Sequence, residues 1–437
     1  MRKCCPNSRW CEHGAQVICD GTGQDSVSQP CLKGLDCYGG QCRPAHPYVH
    51  VLFDTSGSMT WTSSGADGDT TLHPELKQYP ACDNPDEPIL RLGKSKKAFS
   101  ALFGDPQFDH VLFGLQRFPQ RLTQGLKPKC QSGAYQAQSY ITGHANVKYT
   151  IPDGPGGDWF LNNLAEVLLV GFPVQSAVTN RAALQAWLDF DEIRVESEVL
   201  CFKHSDCVQG LCSDPEKGGQ CLELENPELR AEGATPLGLS IFYAGEYLRK
   251  EVVVDGMFCL LDADCGSTAY FCKQGRCQDP NRFCRQRSLV VFTDGQDTSS
   301  PGAWYQPVVQ AKRLRMGLDC TVDDDCGSGS RCAFNHTCQL IDHPLDPCGA
   351  VEFTCSSNEK TFPDAFKSKA TRLRDRNGDP IEITVHVIDA TGELTEESAA
   401  IAAYGGGLWV PVDLADSVSL LKSIQGVVNW KDVNFCP

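Results

Sequence analysis

Asp54-Thr55-Ser56-Gly57-Ser58, a D-x-S-x-S pattern, places one carboxylate and two serine hydroxyls within a single short stretch, directly after the apolar run Tyr48-Val49-His50-Val51-Leu52-Phe53. These are hard oxygen donors, and on a tight turn they are spaced for a small divalent cation such as Mg²⁺. The apolar run reads as a buried strand. The cation would therefore sit at the carboxyl end of a sheet strand, where open α/β folds bind their ligands. Ser, Gly and Thr after a strand are also ordinary turn chemistry, so two later segments decide the matter. Ala234-Thr235-Pro236-Leu237-Gly238 precedes a helical pattern and brings another hydroxyl. Ser288-Leu289-Val290-Val291-Phe292-Thr293-Asp294-Gly295 is a second buried strand ending in a carboxylate.

The set D-x-S-x-S, then Thr, then Asp resembles the metal-ion-dependent adhesion site of von Willebrand factor A domains, the family that includes integrin I domains. The likeness covers most of residues 46–437 apart from insertions. It implies that Ser56 and Ser58 bind the metal directly through their hydroxyls and that Thr235 joins them in the ligand-ready state. It further implies that Asp54 and Asp294 act largely through bound waters. Mg²⁺ is the expected cofactor, with Ca²⁺ or Mn²⁺ as alternatives. Neutral hydroxyls leave much of the ion's charge uncompensated, so the open position favours a carboxylate supplied by a protein or matrix ligand. In integrin-like relatives, movement of the last helix is coupled to the metal site. Here that helix is Asp416 to Val428, and a staple at Cys436 would hold it fixed.

The elements that must position these residues read as alternating strands and helices. Helices are expected over Gly93–Phe103, Phe160–Leu169, Arg181–Phe190, Pro236–Lys250, Gly302–Met316, Glu393–Tyr404 and Asp416–Val428. Pro lies in the first turn of the fourth, and Gly405-Gly406-Gly407 stops the sixth. Further strands are expected over Phe108–Phe118, Ile381–Ile388 and Leu408–Val412. This order predicts an α/β fold, a doubly wound and mostly parallel sheet covered on both faces, with polar insertions at 60–92 and 119–158.

Cysteine is the second strong signal. The chain has 437 residues and 25 cysteines, without C-x-x-C zinc spacing, and that density reads as disulfides formed in an oxidising compartment. One pattern recurs. Cys31–Cys37, Cys201–Cys207, Cys259–Cys265 and Cys320–Cys326 are each C-x5-C, with Asp36, Asp206, Asp264 and Asp325 before the second cysteine. A third cysteine follows in each (Cys42, Cys212, Cys272, Cys332), and a fourth in the internal copies (Cys221, Cys277, Cys338). These are two-disulfide mini-modules with little core of their own. They predict a cysteine-rich segment over 1–45 and an A domain over 46–437, interrupted at about 201–221, 259–284 and 320–355. Shaping a binding rim and shielding loops from proteolysis stay equally open as their role. The odd count leaves a cysteine unpaired, with Cys4 and Cys5 the candidates and a lipid anchor near them one explanation. Cys82 with Cys130 is a candidate pair.

The formal net charge of −16 argues against nucleic acid and against anionic membrane as partners. No segment is long enough to span a membrane; Leu164 to Val174 is short and contains Gly171 and Pro173. No signal peptide precedes the cysteines, so Met1 is read as the start of a processed or recombinant form. The expected function is that of an extracellular or cell-surface adhesin, on the outer membrane if bacterial, and not an enzyme. The alternative is a structural or assembly subunit of a pilus or motility apparatus. Chelatase-type A domains are cytoplasmic, which the cysteines contradict, and Ser56 or Ser58 as a nucleophile lacks a histidine at a recognisable spacing. Asp297 reads as a solvated loop carboxylate before it reads as a residue tuning the metal. Trp61 reads equally as loop packing or ligand contact. Asp375-Arg376-Asn377-Gly378-Asp379 reads as a turn before a calcium loop, and Asn335-His336-Thr337 fits a glycosylation acceptor.

Overall fold

The computed structural model describes residues 5–60, 90–118, 168–341, 373 and 381–428, apart from short gaps of which 298–305 is the longest. Trp61, Cys4, Cys82, Cys130, Cys436, Asp375–Asp379 and Asn335–Thr337 lie outside the described residues, as do most of 60–92 and all of 119–158.

The chain begins with Arg9–Glu12 (β1), Ala15–Cys19 (β2) and Ser26–Pro30 (β3), an antiparallel sheet, and the hairpin Leu35–Tyr38 (β4) and Gln41–Pro44 (β5). It continues through Tyr48–Phe53 (β6), Arg91–Gly104 (α1), Leu112–Arg117 (β7), Leu168–Val170 (β8), Arg181–Ala186 (α2), Ile193–Cys201 (β9) and Gly219–Asn226 (β10). Leu237–Tyr247 (α3), Phe271–Lys273 (β11), Arg276–Gln278 (β12), Arg287–Thr293 (β13) and Pro307–Arg315 (α4) follow. The last elements are Ser330–Cys332 (β14), Cys338–Leu340 (β15), Thr384–Asp389 (β16), Glu396–Tyr404 (α5), Gly406–Pro411 (β17) and Ser417–Val428 (α6).

Six strands form the central sheet in the order β17-β16-β13-β6-β7-β8. The first five pair in parallel and β8 joins the β7 edge antiparallel. The expected α/β architecture is therefore observed, with helices on both faces. The period-two geometry of a strand sends alternate side chains to opposite faces. Tyr48, Leu52, Leu289, Val291, Val385 and Val387 meet α3, α4 and α5 through Ile241, Tyr247, Leu314 and Ile401. Val49, Val51, Phe53, Phe113, Leu115, Val290 and Phe292 meet α1, α2 and α6 through Phe99, Leu102, Leu184, Leu420 and Ile424. Both faces are covered, so β6 and β13 are buried along their whole length and read as continuous apolar runs.

Two boundaries differ from the sequence reading for identifiable reasons. Leu168 and Leu169, expected at the end of a helix, belong to edge strand β8, which pairs with Leu115 and Gln116. A short apolar run has no period of its own to separate helix from strand. The glycines at 405–407 do more than stop α5. A Cβ on Gly407 would lie 2.2 Å from the Val385 carbonyl oxygen, so glycine there is what allows β17 to pair against β16.

The three internal cysteine copies fold as small hairpins, β9–β10, β11–β12 and β14–β15. In each, the first cysteine bonds the third and the second bonds the fourth: Cys201–Cys212 with Cys207–Cys221, Cys259–Cys272 with Cys265–Cys277, and Cys320–Cys332 with Cys326–Cys338. Cys31–Cys42 repeats the first of these bonds. The sulfurs crowd together because the bridges stack, and being oxidised they are not thiolate metal ligands. The repeated aspartate also has a structural role. Asp206 Oδ2 accepts from the N–H groups of Phe202 and Lys203, at 2.9 and 3.1 Å. Asp264 Oδ2 does the same for Leu260 and Leu261, at 2.7 and 2.9 Å. The second module is tied to the amino-terminal segment by the Asn281 amide, which donates to the Leu35 carbonyl at 2.8 Å. Cys5 is exposed and free.

Candidate metal centre

The site grows from the pairing of β6 with β13. Phe53 stands opposite Phe292, and the Asp54 N–H continues the ladder to the Phe292 carbonyl at 3.0 Å. The chain then turns. The Ser56 N–H donates to Asp54 Oδ1 at 2.7 Å, an Asx-type closure that short polar side chains favour. A 3₁₀ turn over Gly57–Thr60 follows, closed by the Met59 N–H donating to the Ser56 carbonyl at 3.1 Å. Met59 is fully buried in the apolar layer of α1 and α6. It plugs the turn into the core and leaves its neighbour Ser58 facing the site. Ser56 Oγ and Ser58 Oγ lie 3.0 Å apart. Adjacent ligands of an octahedral ion with bonds of about 2.1 Å are separated by about 3.0 Å, so the two hydroxyls have the spacing of one octahedral edge.

The second loop leaves β13 one strand away. Ser58 Oγ donates to Asp294 Oδ1 at 2.6 Å. Thr293 Oγ1 donates to Asp54 Oδ2 at 2.7 Å, and the Asp294 N–H reaches the same oxygen at 3.3 Å. Asp54 is thus held from both loops at once. The remaining oxygen of Asp294, Oδ2, accepts from Arg91 Nη1 at 2.8 Å. Arg91 is the first residue of α1, and its side chain is only 9% exposed.

Thr235 comes from the third loop, immediately before α3, and is buried. A Cβ placed on Gly295 would lie 3.9 Å from both Ser58 Oγ and Thr235 Oγ1. The two hydroxyls therefore border the same glycine. Asp54, Ser56, Ser58, Thr235 and Asp294, predicted from distant parts of the chain, are brought to one place. Asp297 is half-buried and tied into the third loop. Its Oδ1 accepts from the Leu237 N–H at 2.7 Å, while its own N–H donates to Glu397 Oε2 at 2.8 Å.

The electrostatics suit a cation. Burial, and then the Asp294 carboxylate beside it, push the Asp54 carboxyl well above the usual carboxylate range. Two buried carboxylates share the site with one guanidinium, so ionisation of both leaves one negative charge unbalanced. A divalent ion would relieve that charge, and Ser56, Ser58 and Thr235 offer it neutral oxygens. The donor set is all oxygen, which suits Mg²⁺, Mn²⁺ or Ca²⁺ and not a thiophilic metal.

Sequence reasoning passed over Thr293 and Arg91. Thr293 is hidden in a strand rich in β-branched and aromatic residues. Arg91 had a signal. A cation in the first turn of a helix opposes the helix dipole, and α1 has no acidic residue in that turn to offset it. Such an arginine needs a carboxylate from elsewhere, and Asp294 supplies it.

No family model and no curated protein matches the chain. Among solved structures it is similar to an aerotolerance-related membrane protein from Bacteroides fragilis, at 14% identity over 88% of this chain and 98% of that one, with a TM-score of 0.28. It is also similar to the PilB minor pilin from Streptococcus sanguinis, at 12% identity over 92% of this chain and 63% of that one, with a TM-score of 0.31. A third is the conserved hypothetical protein BatB from Bacteroides thetaiotaomicron, at 12% identity over 88% of this chain and 100% of that one, with a TM-score of 0.27. Likeness at this level carries nothing about function, which rests on the site itself.

Proposed function

We propose that this chain is an extracellular adhesin that binds a protein or matrix ligand through a divalent cation held by Asp54, Ser56, Ser58, Thr235 and Asp294. The observation that carries the reading is the convergence of three separate loops on one oxygen-lined point, with Ser56 and Ser58 at the spacing of an octahedral edge. Ser56 and Ser58 would hold the ion directly, and Thr235 would complete that side. Asp54 is engaged by Ser56, Thr293 and Asp294, so its part is to fix the two loops and supply charge from behind. When bound, the ion supplies an electrophilic position for a ligand carboxylate. No catalytic step is proposed.

The setting follows from the cysteines. Stacked disulfides in three separate insertions favour an oxidising compartment, and among the described residues no helix is long and apolar enough to cross a membrane. The last helix, α6, packs against α1, whose first residue reaches Asp294. The proposed route from the site to the carboxyl-terminal helix therefore runs through α1. Adhesion or ligand capture by wild type and by Asp54→Ala, each with and without chelator, tests the reading. Wild-type binding should be lost with chelator and absent in the variant. Binding that survives both removes the metal bridge.

A further inference from the structure

Arg91 is the one fixed cation seen bonded to the proposed metal ligands among the described residues, and it is not a generic surface arginine. It is buried, it opens α1 against the helix dipole, and its Nη1 holds Asp294 Oδ2 at 2.8 Å while Ser58 holds Oδ1 at 2.6 Å. Both oxygens of Asp294 are thereby engaged. We infer that Arg91 is an internal counter-ion that competes with the divalent cation for Asp294, weakens metal binding, and leaves the loaded site with a net positive charge that selects an acidic ligand.

This deepens the metal-site reading above and rests on it. With Asp54 and Asp294 ionised, the site with Arg91 carries a net charge of about −1 before an ion enters and about +1 afterwards; a site with the same carboxylates and no arginine would pass from about −2 to neutral. The arginine therefore costs affinity for the ion, because it lowers the attracting charge and occupies one carboxylate oxygen. It also raises affinity for an anion, because the filled site keeps an uncompensated positive charge beside an open position. A guanidinium also bonds carboxylates with fixed geometry. The selected partner surface is one that presents an aspartate, a glutamate or a chain-terminal carboxylate.

The test is titration of the purified protein with Mn²⁺ alone, read by calorimetry and by the paramagnetic signal of free Mn²⁺. The proteins compared are wild type, Arg91→Met, Arg91→Gln and Arg91→Lys. Loss of the charge in Arg91→Met or Arg91→Gln should tighten Mn²⁺ binding about tenfold or more, which is about 1.4 kcal/mol. Arg91→Lys, which keeps the charge, should stay within about threefold of wild type. A purely structural arginine would show the reverse, with metal binding unchanged or weakened in both neutral variants, and that result overturns the inference. Arg91→Gln keeps a hydrogen-bond donor toward Asp294 and guards against misfolding of Arg91→Met. The two readings separate cleanly. Equal binding in wild type and Arg91→Gln keeps the metal site and removes the counter-ion role. Binding in Arg91→Gln but not in wild type keeps the counter-ion and removes metal bridging by the natural chain. Binding in neither removes both.

Discussion

Asp297 accepts the backbone N–H of Leu237 at 2.7 Å and so ties the loop that follows Asp294 to the loop that carries Thr235. Leu237 is the first residue of α3, and the preceding residue, Pro236, has no side-chain oxygen to cap the helix. A carboxylate from sixty residues downstream does that work instead, satisfying one of the orphan N–H groups of the helix start. Glu397, at the start of α5, holds Asp297 in turn.

Asp297→Ala should therefore act on two measurable quantities at once. Loss of the cap should cost about 1 kcal/mol of stability in denaturant unfolding, as N-cap deletions do. Metal affinity should fall several-fold, because Thr235 is no longer held in register with Ser58. Asp297→Asn, which keeps an acceptor oxygen, should recover most of both. An Asp297→Ala protein with unchanged metal affinity would show that Thr235 is placed without this tie.

Ser58→Ala should separate metal binding from folding. The serine donates to Asp294 and accepts from Ser56, while the turn is pinned by Met59. Unfolding free energy should change by about 1 kcal/mol or less, and titration with Mg²⁺ should show affinity reduced at least tenfold. A loss of folding in place of a loss of binding would mean that the serine is a structural residue of the turn.

The aspartate before the second cysteine predicts a local effect in the first two internal modules. In Asp206→Ala, the amides of Phe202 and Lys203 should lose protection in hydrogen exchange, and in Asp264→Ala those of Leu260 and Leu261. Protection elsewhere in the sheet should be unchanged, since the bonds that each aspartate accepts lie within its own module. Spread of the effect into β6 or β13 would show that the modules brace the core.

Two buried histidines predict acid sensitivity. His50 and His386 are each lowered from 6.5 to about 4, by burial first; hydrogen bonding to Gln116 works against this at His50, and Arg315 adds to it at His386. The Leu408 N–H donates to His386 Nδ1 at 3.0 Å, which requires that nitrogen to be free of a proton. Because folding depresses both values, the unfolded chain binds protons first. Stability is fully present above pH 6.5 and falls as pH drops toward about 4, by about 3 kcal/mol for each histidine. Asp54, whose carboxyl is raised, changes in the opposite sense, so the measurement is the difference between wild type and His50→Gln. The two unfolding free energies should converge as pH falls from 7 to 4; a constant difference would mean that His50 does not titrate in this range.

Much of this architecture was legible in the sequence because buried parallel strands are continuous apolar runs. Tyr48–Phe53 and Ser288–Thr293 announce themselves, and a carboxylate at the end of each marks the crevice between them. Thr235 was legible because a hydroxyl followed by a proline at the start of a helical pattern is a restricted context. Edge strand β8 was not, since three apolar residues carry no period. Arg91 and Asp297 were not, because their roles depend on partners 203 and 60 residues away along the chain. Local pattern gives the element that carries such a residue, but not the oxygen or N–H that it meets across the fold. Asp206 and Asp264 were visible as part of a repeat, and their purpose became plain only when the backbone N–H groups they accept from were seen.

A crystal grown with Mn²⁺ and measured for anomalous scattering tests the central claim most directly. The account predicts one strong peak about 2.2 Å from Ser56 Oγ and Ser58 Oγ, on the side facing Gly295 and Thr235, absent from the Asp54→Ala protein. A crystal in Mn²⁺ with no peak there, Ser58 still bonded to Asp294 and Arg91 still holding the other oxygen, would contradict it.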